Sequence, residues 1–98
     1  MISIILSQDC LSVQGHAGFN PGNDIVCAAV SALVQTFEAS AREFTSDEIS
    51  SSLQDGDAVI AWARAPTKEL SLLIDSLYLG LSGIAASYPD NIEVICTR

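Results

Sequence analysis

Along the N-terminus, apolar Ile2, Ile4 and Leu6 alternate with Ser3, Ile5 and Ser7, the period of two expected of a strand with one buried face. Gln8 and Asp9 break the pattern as a short turn. It resumes from Cys10 to about Gly15, with Leu11 and Val13 on one side and Cys10, Ser12 and Gln14 on the other, so the two segments predict a hairpin. The stretch from Gly15 to Asn23 holds three glycines and Pro21 and predicts a loop, mobile where the glycines permit it. Beyond it the period becomes helical. Asp24 stands where an N-cap would, ahead of Val26, Val30, Leu33 and Phe37, which form a core stripe in a helix running to about Ala41. Cys27, Ser31 and Val34 lie on the neighbouring stripe, with Cys27 at the third helical position.

Ile49, Ser51 and Leu53 predict a third strand, joined through Asp55-Gly56 to a fourth from Asp57 to Ala65 with Val59, Ala61 and Ala63 on one face. Pro66 stops that strand, and Thr67 caps a second helix whose Leu70, Leu73, Ile74, Leu77, Leu81, Ile84 and Tyr88 trace a broad apolar face up to Pro89. Ile92, Val94 and Cys96 alternate with Glu93, Ile95 and Thr97 in a last strand. The order ββαββαβ, without repeat or linker, predicts one α/β domain over residues 1–98: a two-layer sandwich with two helices on one face of a mixed sheet. The wide apolar face of the second helix serves core packing or a homodimer.

With 49% hydrophobic and 16% charged residues, the chain has enough apolar surface for a core that needs no metal or bridge. Its apolar runs are interrupted before the roughly 20 residues that a bilayer requires, and no basic segment opens the chain, so a soluble, unexported protein with no membrane partner is expected. Three cysteines without a CxxC pair fit a reducing cytoplasm better than a disulfide framework. Twelve acidic against 4 basic residues give a net charge of −8, which repels phosphate backbones and disfavours direct nucleic-acid binding. The same surface attracts a cationic peptide or protein.

Chemistry concentrates around Cys27. A thiol at a helix N-terminus lies beside free amides and the positive end of the dipole, which favour the nucleophilic thiolate. The sole histidine, His16, stands eleven positions earlier at the entry of the glycine-rich loop, which can fold back to join imidazole and sulfur. Spacing alone leaves two readings open: a nucleophile and its base, or a buried helix cysteine and an unrelated surface histidine. Asp24 is either a cap or a third member that orients His16. Ser31, one turn beyond Cys27, either donates to a site group or bonds within its own helix. Cys10 and Cys96 read as small core residues, and with Cys27 and His16 they lack the paired spacing of a zinc site; neither metal nor cofactor is implied. Trp62 reads as packing under a helix, whereas Phe19 in the loop could face a peptide.

Gly15-His16-Ala17-Gly18-Phe19, then Gly22, then Asp24-Ile25-Val26-Cys27-Ala28-Ala29-Val30-Ser31-Ala32-Leu33, resemble the signature of the ribosomal-processing cysteine protease Prp family, with element order and length matching end to end. The resemblance implies that His16 and Cys27 form a catalytic dyad, that Gly15, Gly18, Phe19 and Gly22 belong to a substrate loop, and that the protein is a homodimer. It also implies the substrate: the N-terminal extension of a basic large-subunit ribosomal protein, cut after a hydrophobic, aromatic-containing stretch. The sequence departs from the family at Asn20-Pro21, where typical members carry a slightly longer loop with Ala after the aromatic residue; this implies altered substrate fit and leaves the dyad positions intact. The expected oxyanion donors are the backbone amides of the Cys27 turn. Two other readings remain: a non-catalytic acidic dimer that escorts a basic ribosomal protein, and a redox sensor on Cys27, which has no resolving cysteine nearby in sequence.

Overall fold

A computed structural model describes all residues, Met1–Arg98. Ile2, Ile4 and Leu6 turn inward from β1 (Ile2–Leu6), as their alternation requires, and Leu11 does the same from β2 (Cys10–Gln14). The remaining elements are α1 (Ile25–Phe44), β3 (Ser50–Gln54), β4 (Asp57–Ala61), α2 (Lys68–Ser87) and β5 (Ile92–Cys96). The five strands form one mixed sheet in the order β3-β4-β2-β1-β5. Hairpins make β1–β2 and β3–β4 antiparallel, β2 pairs antiparallel with β4, and the crossover through α2 brings β5 in parallel with β1. The register aligns Ile4 with Val13 and Val94, and Leu11 with Ile60, so the apolar residues meet on the face that the helices cover. The predicted ββαββαβ sandwich is the fold found.

Local boundaries depart from the sequence pattern where tertiary contacts intervene. α1 continues past Ala41 to Phe44, carried by an Arg42–Glu38 ion pair at 2.5 Å, one turn apart, and Thr45 Oγ1 then donates to the Ala41 carbonyl at 2.6 Å. β4 ends at Ala61 instead of Ala65, because Cys10↔Ala61 is the last pair that β2 offers. Ile60 turns inward from β4 and Trp62 does so just beyond its end; the Trp62 indole donates to the Gln8 carbonyl at 3.0 Å and packs edge-on against Phe37, ring centroids 5.8 Å apart. Along α1 the buried stripe is Val26, Val30, Val34, Phe37 and Ala41, with Val34 taking the place expected of Leu33. Leu33 is displaced toward α2, where a Cβ on Gly80 would come within 3.0 Å of it, so Gly80 lets the two helices approach.

The cysteines in strands are not core residues as expected: Cys10 shares the uncovered face of the sheet with Ser12 and is half-buried, and Cys96 is exposed at the end of β5. Burial, then the neighbouring Asp9 carboxylate, pushes the Cys10 thiol up. α2 is long and apolar enough to cross a membrane by length and composition alone, but its Leu70, Ile74, Leu77 and Leu81 are buried in this core. Asp47 ties the α1–β3 connection to the start of α2: its carboxylate accepts from the Thr67 amide at 3.0 Å and from the Thr67 hydroxyl, which in turn caps the Leu70 amide at 3.2 Å. Partial burial acts to raise the Asp47 carboxyl, and the hydrogen bonds from Thr67 outweigh it and hold the group below its ordinary value.

Candidate active site

Asp24 has extended backbone, φ −95 and ψ 108, which turns its side chain back over the first turn of α1. Oδ1 accepts from the Val26 amide at 2.9 Å and the Cys27 amide at 3.1 Å. Oδ2 reaches the other way, accepting from the Phe19 amide at 2.9 Å and the Asn20 amide at 3.2 Å. One carboxylate thus caps the helix and anchors the loop that precedes it. Desolvation works to raise the Asp24 carboxyl, but the amides of Cys27, Asn20, Phe19 and Val26 prevail and hold it below its ordinary value. With both oxygens engaged by backbone amides, Asp24 makes its contacts as a cap and loop anchor, and none of them is to His16.

The loop returns to the helix at Ala17, whose amide donates to Cys27 Sγ at 3.3 Å. Ala17 is 3% exposed, and its carbonyl accepts from the Asn91 side-chain amide at 3.0 Å. Asn91 is itself fixed, since its own carbonyl takes the Ile2 amide at 2.9 Å. These bonds hold the residue after His16 against the sulfur. The expectation that the Cys27 turn supplies oxyanion donors needs correction: the Val26 and Cys27 amides already serve Asp24, and the amide that points at the sulfur is that of Ala17.

His16 is exposed at the mouth of a cleft of about 470 Å³ between α1 and the β3–β4 hairpin, and Cys27 lines the same cleft. No hydrogen bond joins imidazole and sulfur; the ring instead lies over the hairpin turn at Gly56. Ile2, Val13, Leu53 and Ala58 give the cleft an apolar floor, while Asp55 and Asp57 stand at its hairpin side. Ser31 lines the cleft one turn beyond Cys27 and accepts from Gln35 Nε2 at 2.8 Å. Gly15 borders the cleft, whereas Gly18, Phe19 and Gly22 do not; Phe19 packs edge-on against Tyr88 with centroids 5.3 Å apart. Nowhere do three or more His, Cys, Asp or Glu side chains converge as metal ligands, and Cys10 lies across the sheet from Cys27. Sequence reasoning missed Asn91, Gly56 and the hairpin carboxylates. The Asp55-Gly56 pair announced a tight turn, but its place beside His16 follows only from the pairing of β2 with β4.

The family model described as cysteine protease Prp matches residues 1–93. A ribosomal processing cysteine protease Prp from Mycoplasma genitalium is 34% identical over 99 residues, covering 96% of this chain and 94% of the relative. Crystal structures of an essential ribosomal processing protease Prp from S. aureus share the fold. One, with a covalently linked product peptide, superposes with a TM-score of 0.91 at 24% identity, covering 99% of this chain and 100% of the other. Another, with a substrate peptide, gives 0.87 at 23% identity with the same coverage.

Proposed function

Because the chain belongs to the Prp family of cysteine proteases, we propose that it removes the N-terminal extension of a basic large-subunit ribosomal protein, with Cys27 as nucleophile and His16 as base. The observation that carries this reading is the shared cleft: the sulfur sits at a helix N-terminus, the histidine is at the mouth, and the Ala17 amide bonded to the sulfur is one residue from His16. An apolar floor suits the hydrophobic stretch of such an extension, and a net charge of −8 suits a basic protein.

The Cys27 thiolate attacks the scissile carbonyl, and His16 passes a proton to the departing amine as the C–N bond breaks. Water, losing a proton to His16, then cleaves the thioester and returns the sulfur. The ring must turn from Gly56 toward the sulfur for these steps, a rotation open to an exposed side chain. The Ala17 amide is placed to serve as an oxyanion donor, because the oxygen of a carbonyl bonded to Sγ forms next to it. Asp24 supports the dyad indirectly by holding loop and helix together, and Ser31 by its place on the cleft wall.

A homodimer working in a reducing cytoplasm completes this reading. Leu72, Leu79 and Ala86 recur every seven residues on the exposed side of α2, with Ser76 and Gly83 between them, a seam on which a second α2 can pack. Incubating the protein with an extended ribosomal protein and reading product masses tests the function. A single cut that releases the extension supports it; a stable complex with uncut protein would favour the escort reading instead.

A further inference from the structure

Gly56 lies in the β3–β4 turn with φ +73, and a Cβ built on it would stand 2.7 Å from Nε2 and 3.2 Å from Cε1 of His16. Cβ atoms do not approach other side chains so closely, so the imidazole occupies the space that a side chain at position 56 would fill. The turn cannot easily retreat. Its Gly56 carbonyl accepts from the Gly15 amide at 2.9 Å, next to His16 in the chain, and the Gln14↔Asp57 pair holds β2 to β4 directly beside it. We infer that Gly56 is a positioning residue for the proposed base: its bare Cα is the platform on which the His16 ring rests at the mouth of the cleft. The inference rests on the assignment of His16 as base.

A positive φ alone would favour glycine in this turn, so the two roles must be separated. Asn tolerates the left-handed backbone but, like Ala, carries a Cβ into the space of the ring. His16 is exposed and can swing outward, so an added Cβ displaces the imidazole and leaves the hairpin paired. During the reaction the ring turns from this rest toward the sulfur, so a rest displaced outward by order 1 Å starts the base farther from its aligned position, and misplacement on that scale can reduce turnover by about 10²-fold.

Gly56→Asn and Gly56→Ala test this with three readings: melting temperature, steady-state kinetics and the imidazole NMR resonance, which is unambiguous because His16 is the sole histidine. Both variants should shift that resonance in the free protein and reduce kcat by about 10-fold or more with KM little changed, while only Ala lowers the melting temperature through backbone strain. In a His16→Ala background, Gly56→Asn should cause no further loss of activity. An unmoved resonance, an unchanged kcat, or an equal loss in both backgrounds would overturn the inference. Full activity of His16→Ala alone would instead remove the base assignment beneath it, a result separate from whether the resonance shifts.

Discussion

The Ala17 amide donates to Cys27 Sγ at 3.3 Å, tying the start of the loop to the first turn of α1. That one bond fixes the residue after the histidine relative to the cysteine, although His16 and Cys27 stand eleven apart in the chain. Asn91, from the turn before β5, holds the same peptide unit from behind through the Ala17 carbonyl at 3.0 Å. The site is therefore assembled on the Ala17 peptide unit, held by side chains from α1 and from the turn before β5, with the imidazole the part free to turn.

Removing the proposed base should affect chemistry and spare the fold. His16 is exposed, and no core residue depends on its ring, so His16→Ala is expected to unfold at the wild-type temperature. Peptide hydrolysis should fall by about 10² or more, the scale for loss of general acid–base catalysis. Unchanged turnover with an intact fold would exclude His16 from the reaction.

Acid should loosen the site before the core. Asp24 and Asp47 are both held below the ordinary carboxyl value of 3.8, so their contribution to stability is complete above that value and is lost as pH falls through their lower folded values. Asp24→Asn cannot accept all four amides, since one of the two oxygens becomes an NH₂ group that would face backbone N–H donors on whichever side it lies. Its thermal stability should be lower at neutral pH and should fall less on acidification than that of the wild type. Parallel pH profiles for the two proteins would contradict this role for Asp24.

The loop from Ala17 to Asn23 should move at its glycines and not throughout. Asp24 holds the Phe19 and Asn20 amides, while Gly18 and Gly22 have positive φ and open space around them. Hydrogen exchange should be fast at Gly18 and Gly22 in the free protein and slower once a peptide is linked to Cys27, as for a loop that orders over substrate. Slow exchange in the free loop, unchanged by the peptide, would exclude a gate here.

Period-two and helical patterns were enough to read the elements that bury a continuous face, such as Ile2, Ile4 and Leu6 in β1 and Leu70, Ile74, Leu77 and Leu81 in α2, whereas β3 buries no residue and is marked by the Asp55-Gly56 turn that follows it. The errors arose where a partner element decides the outcome. β4 stops at Ala61 because its neighbour β2 ends, and Leu33 yields its core place to Val34 because Gly80 of α2 faces it. Cys27 and Asp24 were legible from helix-cap chemistry, which is local. Asn91 and Gly56 were not, since each reaches the site through contacts distant in sequence, from Asn91 to Ala17 and from Gly56 to Gly15 and His16.

The central claim is that Cys27 carries the acyl group during peptide cleavage, and trapping that intermediate tests it most directly. The protein is mixed with a peptide spanning the extension junction, quenched in acid within the first turnover, and its intact and digested masses are measured. The predicted result is a transient thioester on Cys27 equal in mass to the N-terminal fragment less one water, absent from Cys27→Ala, which also releases no product. Product formation without a thioester, or an adduct on Cys10 or Cys96 with Cys27 unmodified, would contradict the account.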